Sequence, residues 1–383
     1  MIPHFIEQSK VATLKSLPTP SFVIDEGRLI NNLQLLNDIE HRSGCKILLA
    51  QKCFSTFSLY PLIGKYISGT TASGIFEARL GKEEMGKENH VFAPAFKSQD
   101  ISELDDICDH IVFNSWNQYR LHSPHCRKAS LGIRVNPQLS TQDHAIYDPC
   151  TTGSRLGVTI DQMPETLPDN IEGLHFHTLC EQGFEDLEKT FNAFEQKFGK
   201  YLPSLKWLNL GGGHYIAHQD YDVEGLINFL NRVREKYNLQ LYLEPGEGVV
   251  LNAGYMVTEV MDKVKNGMEI LILDFSAACH CPDIIEMPLL PPIFEAEDNP
   301  NGKYPYRLSS MTCLAGDVIG DYSFNNEINI GDKIIIEDMA LYTMVKTNTF
   351  NGMPLPDIFI LKSDGSTELI KRFGYKDFKE RLG

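Results

Sequence analysis

Short apolar runs rich in β-branched residues recur along the first two-thirds of the chain, and apolar residues at helical spacing lie between them. The runs predict strands, and the stretches between them predict helices such as Phe184–Phe198 and Val223–Tyr237. The predicted strands cover residues 45–50, 68–73, 90–93, 110–114, 131–135, 171–177, 206–210 and 241–243. Eight strands alternating with helices favour an α/β fold of the (β/α)8 TIM-type barrel class, and a doubly wound sheet is the alternative.

Beyond about residue 255 the pattern changes to short strands separated by turns, which predicts a mostly β second domain. The predicted strands there are 255–260, 269–274, Lys333–Glu337 and Asp357–Leu361, with turns at 301–302, 331–332 and 351–352. Residues 17–25 form an early apolar run that we expect to join this sheet. The expected organisation is therefore an N-terminal segment 1–30 joining the β domain, a barrel over 31–255 and a C-terminal β domain over 256–383.

The composition is that of a folded, acidic protein, with 42% hydrophobic residues and a formal net charge of −16. This apolar fraction excludes a disordered chain, and the lack of a basic stripe argues against a nucleic-acid partner. The nine cysteines form no Cys-x-x-Cys pair, which argues against a disulfide scaffold or a structural zinc site. No stretch approaches the ~20 apolar residues of a membrane span, and the N-terminal residues lack a signal-peptide core. We therefore expect a cytoplasmic protein without a membrane partner.

Four kinds of chemically useful residue follow the predicted barrel strands, at the ends where barrels carry their reactive groups. Lys52 follows the first strand, His177 ends the sixth, the glycines 211–213 follow the seventh and Glu244 follows the eighth. Each has a structural explanation when taken alone: a lysine reaching water, a hydrogen-bonded histidine, a glycine turn and a solvated carboxylate. Together they match the needs of one cofactor, pyridoxal 5′-phosphate.

Pyridoxal phosphate needs a lysine for its aldehyde, a cradle for its phosphate, a surface for its ring and a partner for its ring nitrogen. Burial would lower the pKa of Lys52 and favour a Schiff base. Backbone N–H groups of the glycine triplet could hold the phosphate, and His177 could stack on the ring. A carboxylate such as Glu244 keeps the ring nitrogen protonated, which suits decarboxylation, whereas an arginine there would suit a racemase.

Seven motifs in order resemble those of the alanine-racemase-type (fold III) pyridoxal-phosphate decarboxylases, over nearly the whole chain. Among them, the chain is most similar to the carboxynorspermidine (carboxyspermidine) decarboxylases. The motifs are residues 49–55 (LAQKCFS), 173–180 (GLHFHTLC), 208–215 (LNLGGGHY), 244–247 (EPGE), 274–283 (DFSAACHCPD), 312–317 (TCLAGD) and 342–352 (YTMVKTNTFNG).

The resemblance implies a role for each matching residue and a homodimer whose active sites lie at the subunit interface. It implies Lys52 as the Schiff-base lysine, His177 as the ring-stacking residue and Glu244 as the partner of the ring nitrogen. It assigns the phosphate loop to Gly211, Gly212 and Gly213, and it places Arg134 and Tyr342 in the cofactor shell. It also implies that Cys313 acts in the neighbouring subunit, where it can protonate the carbanion left by decarboxylation.

Two positions depart from the ornithine and diaminopimelate decarboxylases of this fold. Those enzymes typically carry arginine after Glu-Pro-Gly, where this chain has Glu247, and an acidic residue after the cysteine, where it has Leu314. The first change removes a positive charge near phosphate or substrate, and the second removes an acidic substrate contact. Both argue against ornithine and diaminopimelate as substrates, and the Cys-His-Cys-Pro-Asp stretch at 279–283 indicates the carboxynorspermidine branch instead. A diaminopimelate decarboxylase and a non-catalytic pyridoxal-phosphate-binding homologue remain the alternatives.

The remaining candidates are acidic or imidazole side chains that could contact the amines of a polyamine. They are Glu247, Asp274, His280, Asp283, Glu286 and Asp317, of which Asp283 and Glu286 are equally well explained as solvated carboxylates. The cluster Cys279-His280-Cys281 also invites a metal site, but no fourth ligand is apparent and we expect it to be loop packing.

Overall fold

The computed structural model describes residues 6–142, 145–287 and 289–383. These residues form two compact units, and the first of them is discontinuous in sequence. One unit combines residues up to Asn31 with Val250–Gly383, and the other comprises Asn32–Val249.

The unit Asn32–Val249 contains a closed barrel of eight parallel strands that follow one another in chain order. Its strands are β2 (Lys46–Ala50), β3 (Gly69–Ala72), β4 (Glu88–Ala93), β5 (His110–Phe113), β6 (Ser130–Arg134), β7 (Ile171–His175), β8 (Trp207–Asn209) and β9 (Gln240–Leu243). The last strand closes on the first, with Lys46 opposite Tyr242. The barrel predicted from the sequence is therefore confirmed, and the doubly wound sheet is excluded.

Each predicted barrel strand overlaps an observed one, but the ends differ by up to two residues. The largest consequence concerns His177, because β7 ends at His175 and His177 lies in the loop that follows. β4 begins at Glu88 instead of His90. These ends matter because residues beyond the carboxyl end of a barrel strand lie at the face that carries chemistry.

The longer helices around the barrel were predicted correctly from the spacing of apolar residues. The helices of this region are α2 (Glu26–Ser43), α3 (Tyr60–Ile63), α4 (Ile75–Leu80), α5 (Ile101–Ile107), α6 (Trp116–His122), α7 (Phe184–Phe198), α8 (Val223–Tyr237) and α9 (Glu247–Val250). The predicted bounds of α7 and α8 are confirmed. α7 buries Leu187, Phe191, Phe194 and Phe198, which recur at the three- and four-residue spacing of one helical face.

Inside the barrel, Leu48, Val112, Trp207 and Tyr242 form a buried apolar cluster. The Trp207 indole N–H donates to Ser130 Oγ at 2.8 Å, so its polar atom is satisfied. The indole lies against Gly173, where any Cβ would overlap its ring atoms. A glycine is thus required at this position because the tryptophan fills the space.

The other unit is a mostly β domain built on one mixed sheet. Its strands are β1 (Ser21–Asp25), β10 (Gly254–Asn266), β11 (Met268–Leu273), β12 (Ala296–Glu297), β13 (Tyr304–Ser310), β14 (Val318–Phe324), β15 (Lys333–Glu337), β16 (Asp357–Leu361) and β17 (Thr367–Lys371). They lie in the order β12-β14-β13-β11-β10-β1-β16-β17, and β15 also pairs with β10. The short helices α1 (Gln8–Ser16), α10 (Ala277–His280), α11 (Asp283–Glu286) and α12 (Tyr375–Glu380) complete the unit.

Strand β1 shows why the first residues belong with the last part of the chain. It pairs antiparallel with β10 and parallel with β16. Its successive side chains point to opposite faces of the sheet, as strand geometry requires. Phe22 packs with Met256 in one core cluster, and Val23 packs with Tyr255 in another.

Within the described ranges, no helix combines the length and the apolar character needed to cross a bilayer. A cytoplasmic location stays a prediction from the sequence.

The Trp207–Gly173 contact predicts the cost of adding one methyl group to the barrel. Gly173→Ala should lower the free energy of unfolding by about 1–3 kcal/mol, because the indole has no space to move in a packed interior. Urea unfolding followed by tryptophan fluorescence measures the change. The matched control is Gly316→Ala, since no atom lies within 4 Å of a Cβ at that position and it caps no helix. The control should stay within about 0.5 kcal/mol of the unchanged protein, and equal losses in both variants would contradict the packing argument.

Candidate active site

Lys52 lies directly beyond β2, in a turn closed by the hydrogen bond from Cys53 N to Ala50 O (3.0 Å). Its side chain is accessible to solvent. Surrounding protein atoms desolvate the ammonium and Arg134 adds a like charge, so the pKa of Lys52 is lowered. The ammonium is therefore partly desolvated by neighbouring protein atoms, although the side chain as a whole is exposed. A lysine of this kind carries more of the neutral amine that attacks an aldehyde.

Glu244 follows β9 and has 11% of its side chain exposed. Asn209 Nδ2 donates to its Oε1 at 2.8 Å, and His175 Nε2 lies 3.2 Å from its Oε2. Burial alone would raise the pKa of Glu244, but the interactions with His175 and Asn209 outweigh burial and lower it. The carboxylate is therefore ionised although it is largely removed from water.

His177 is half-buried, and its Nδ1 accepts a hydrogen bond from Gly212 N at 2.8 Å. Burial and the positive charge of Lys52 hold the pKa of His177 well below its usual value. The ring is therefore neutral, with its proton on Nε2, because Nδ1 serves as an acceptor. A neutral flat ring held by the backbone is suited to packing against a planar ligand.

The glycine triplet has the backbone shape of a tight loop. Gly211 and Gly213 adopt φ values of +73° and +82°, and a Cβ on Gly211 would lie 2.6 Å from Phe176 O. Two of its N–H groups are already engaged: Gly211 N donates to Asn209 Oδ1, and Gly212 N donates to His177 Nδ1. The phosphate role of Gly211, Gly212 and Gly213 stays a prediction.

Arg134 ends β6 and is buried. Its guanidinium lies over the Phe92 ring at 4.6 Å, and its Nη2 donates to His177 O at 3.3 Å. Burial lowers the pKa of Arg134 to about 10, which still leaves it charged at neutral pH. Arg134 thus adds a positive charge near Lys52 and fixes the loop that carries His177.

The functional groups of these residues are those that pyridoxal 5′-phosphate requires. The barrel offers a lysine of lowered pKa, an ionised carboxylate with little exposure and a neutral imidazole beside a glycine loop. The sequence interpretation missed two members of this arrangement, His175 and Asn209. Each is the last residue of its strand and lies two residues before a residue that was identified, His177 and Gly211 respectively, so its place at the strand end was the available signal.

A third missed residue is Glu77 on α4. Its Oε2 accepts from Ser73 N at 2.6 Å, and it interacts electrostatically with Lys52. Burial raises the pKa of Glu77. Nothing in its sequence surroundings marks it, because its proximity to Lys52 depends on the pairing of β2 with β3.

A second carboxylate–histidine cluster lies at the N-terminal ends of the barrel strands. Glu88, His90 and His110 bring possible metal-ligand atoms within 4.8 Å of one another. Lys46 pairs with Glu88, and Tyr242 donates to it at 2.7 Å. The imidazoles of His90 and His110 stack with centroids 3.9 Å apart, so their in-plane lone pairs run side by side and do not converge. This cluster therefore has the features of a packed ion-pair network.

In the β domain, Cys313 is exposed in the loop between β13 and β14. Its backbone N–H donates to Asn351 Oδ1 at 2.6 Å, and Asn351 adopts a left-handed φ of +57°. Tyr342 also has a positive φ, +48°. Left-handed backbone is costly for an aromatic residue and tends to persist at functional sites, which supports the predicted importance of this segment.

The acidic residues expected to bind substrate are engaged within the β domain. Asp317 is 1% exposed, and its carboxylate accepts from Ser276 Oγ (2.6 Å), Thr312 Oγ1 (2.6 Å) and Ala278 N (3.2 Å). Asp274 accepts from Thr258 Oγ1 at 2.6 Å. Substrate contacts by these two residues stay predictions, and the structure gives Asp317 another role, the anchoring of the loop that carries Cys313.

The Cys279-His280-Cys281 stretch was expected to be a loop, and the structure corrects this, because Cys279 and His280 belong to helix α10. Both ring nitrogens of His280 are used: Nδ1 accepts from Ser276 N, and Nε2 contacts Pro354 O at 3.0 Å. Its role in substrate binding therefore stays a prediction.

Asp283 and Glu286 share one protein cation. Lys346 Nζ bonds to Asp283 Oδ1 and lies 2.8 Å from Glu286 Oε2. Two carboxylates and one ammonium leave a net charge of −1 on this group. In the barrel unit, Glu247 is 9% exposed and begins α9. Contacts of these three acidic residues with a substrate amine stay predictions.

The comparisons with known proteins point to pyridoxal-dependent decarboxylases. The family model described as pyridoxal-dependent decarboxylase, C-terminal sheet domain, matches residues 21–340. The chain is 40% identical over 378 residues to the carboxynorspermidine/carboxyspermidine decarboxylase of Campylobacter jejuni, covering 96% of this chain and 99% of the relative. It is also 40% identical over 375 residues to the carboxyaminopropylagmatine decarboxylase of Synechocystis, covering 97% of both chains.

Among solved structures, the chain resembles carboxynorspermidine decarboxylase from Campylobacter jejuni complexed with norspermidine. The TM-score is 0.90 at 39% identity, and the match covers 95% of this chain and all of that one. Sequence and fold thus agree over the full length of the chain.

The lowered pKa of Lys52 predicts where pyridoxal phosphate is attached. Borohydride reduction of the holoenzyme followed by peptide mapping should find the label on Lys52. Lys52→Arg should abolish labelling, because a guanidinium does not form the Schiff base, whereas Lys46→Arg at the opposite end of the barrel should leave it intact. A label on any other lysine would show that the barrel residues have been misassigned.

Proposed function

The chain belongs to the pyridoxal-dependent decarboxylase family, and we propose that it decarboxylates carboxynorspermidine and carboxyspermidine to norspermidine and spermidine. The observation that carries this proposal is the ionised, largely buried Glu244 in electrostatic reach of Lys52. The two relatives at 40% identity, one of them a carboxynorspermidine/carboxyspermidine decarboxylase, support the reaction and the substrate class.

Pyridoxal phosphate, when bound, supplies the electron sink that accepts the electron pair released as carbon dioxide departs. Lys52 would hold its aldehyde carbon through Nζ. Glu244 would hold a proton at the ring nitrogen, since an ionised carboxylate stabilises the protonated ring. His177 would support one face of the ring, and Arg134 keeps that histidine in place through its carbonyl oxygen.

Cys313 would return a proton to the substrate carbon from its Sγ. Its exposed position in the β13–β14 loop supports such a role, because the thiol can reach a site outside its own domain. We propose that this site belongs to a second copy of the chain, in a homodimer. Asp317 and Asn351 then serve to hold the loop, since they bond to Thr312 and Cys313 respectively.

The preference for a polyamine follows from the charges that the chain lacks. A diaminopimelate site must desolvate a second carboxylate, which costs several kcal/mol without a cation. The chain carries Glu247 where diaminopimelate decarboxylases typically have arginine, and the Asp283–Lys346–Glu286 group has a net charge of −1. Carboxyaminopropylagmatine, the substrate named for the Synechocystis relative, is a further candidate that also presents cations.

The shared site predicts complementation between two inactive variants. Co-expressed Lys52→Ala and Cys313→Ala chains should recover about a quarter of the unmodified activity, because random pairing gives one intact site in half of the dimers. Activity per dimer, together with mass measurement of the mixed dimers, tests this.

The matched control pairs Lys52→Ala with Glu244→Gln, two residues of the same barrel. No arrangement of those chains restores a complete site, so activity should not return. Mixed dimers of the first pair that remain inactive would exclude a shared site.

The charge argument predicts substrate selectivity. Carboxynorspermidine and carboxyspermidine should both react, with kcat/KM values differing by no more than about 200-fold, because they differ by one methylene. Diaminopimelate, ornithine and lysine should have kcat/KM values at least about a hundredfold below that of the slower of these two substrates, and carbon dioxide release measures each rate. Turnover of diaminopimelate at a comparable rate would favour the alternative function.

A further inference from the structure

His175 ends β7 inside the barrel, with 2% of its side chain exposed and its Nε2 3.2 Å from Glu244 Oε2. An ionised carboxylate only accepts hydrogen bonds, so His175 Nε2 carries the proton of this contact. We propose that His175 is a positioning residue, which aims the charge of Glu244 at the ring nitrogen of the cofactor without cancelling it. This inference rests on the role proposed above for Glu244.

With Nε2 directed at Glu244 and Nδ1 unpartnered among the described residues, the geometry is that of a neutral imidazole donor. Burial lowers the pKa of His175, and Arg134 and Lys52 act in the same direction against the attraction of Glu244. With the proton on Nε2, the other ring nitrogen is a bare acceptor. Nδ1 indeed has no hydrogen-bond partner among the residues that the structure describes. A charged imidazole would instead need a partner for a second N–H and would form an ion pair with Glu244.

A comparison with Glu88 shows what a neutral donor changes. Glu88 is paired with the ammonium of Lys46, so its charge is cancelled at short range. Glu244 receives the amide of Asn209 and the imidazole of His175. Over the described ranges, no lysine or arginine forms an ion pair with Glu244. Lys52 and Arg134 act on it only at longer range, so its negative charge is not cancelled by an ion pair at contact distance.

Strand register fixes the direction of the imidazole. Arg134, His175 and Asn209 are neighbours on β6, β7 and β8. The Phe92 ring lies 5.4 Å from the His175 ring and packs against Arg134 as well. The imidazole is thus enclosed by the barrel wall and Phe92, so it can hold Glu244 in one orientation.

The test compares two cofactors that differ only at the ring nitrogen. Apoenzyme carrying His175→Leu is titrated with pyridoxal 5′-phosphate and with its 1-deaza analogue, in which carbon replaces that nitrogen. Affinity for pyridoxal phosphate should fall about tenfold, which is typical of a lost hydrogen bond to a charged group. Affinity for the analogue should change less than about twofold, because the analogue makes no use of Glu244.

A rescue variant and a matched control separate positioning from packing. His175→Gln places an amide donor near the position of Nε2 and should restore pyridoxal phosphate affinity to within about threefold. His90→Leu removes the histidine of the Glu88 pair, whose Nε2 lies 3.0 Å from Glu88 Oε1, and should affect both cofactors less than about twofold. His175→Asn, whose shorter side chain does not reach Glu244, replaces the leucine variant if that chain does not fold.

Equal losses for both cofactors in the His175 variants would overturn the proposal, as would no loss for either. Those results would leave the decarboxylase function standing. Failure of the unmodified chain to bind pyridoxal phosphate would instead remove the proposed function itself.

Discussion

The barrel depends on keeping one carboxylate ionised in a place where water is scarce. Removing an unpaired carboxylate from water costs several kcal/mol, so Glu244 requires hydrogen-bond donors on neighbouring strands. Asn209 and His175 supply them from the ends of β8 and β7. The same Asn209 accepts from Gly211 N, and Gly212 N donates to His177. The charge, the glycine loop and the stacking histidine are thus joined in one hydrogen-bond network.

The β domain also contains a buried carboxylate that is held by hydrogen-bond donors, that of Asp317. Its buried carboxylate accepts from two hydroxyl groups and one backbone N–H, on segments separated by about forty residues of chain. One of these donors is Thr312, which precedes Cys313. The accessible thiol is therefore carried by a loop whose base is fixed. In both units a buried carboxylate is linked by hydrogen bonds to a loop that carries a candidate group, the glycine loop beside His177 in one and the loop of Cys313 in the other.

The sequence predicted those features that depend on neighbouring residues or on strand order. The barrel strands, helices α7 and α8 and the rim position of Lys52 follow from periodicity and from the rule that barrel chemistry lies beyond strand ends. The roles of His175 and Asn209 could not be read in the same way, because their partner Glu244 lies 69 and 35 residues away. Such a pairing depends on strand register, which periodicity does not give.

The acidic residues predicted to bind substrate also have partners that the sequence pattern does not reveal. This affects the argument for substrate specificity. Asp317 and Asp274 looked like substrate contacts because their sequence surroundings do not reveal Ser276, Thr312 or Thr258 as donors. Those hydroxyl donors are neutral and cancel no negative charge, so repulsion by the acidic residues still contributes to the expected selectivity. The lack of a cation acts in the same direction, because several kcal/mol of uncompensated desolvation corresponds to more than a hundredfold in rate. The expected selectivity thus combines acidic side chains with Glu247 in place of an arginine, a cation that a polyamine does not need.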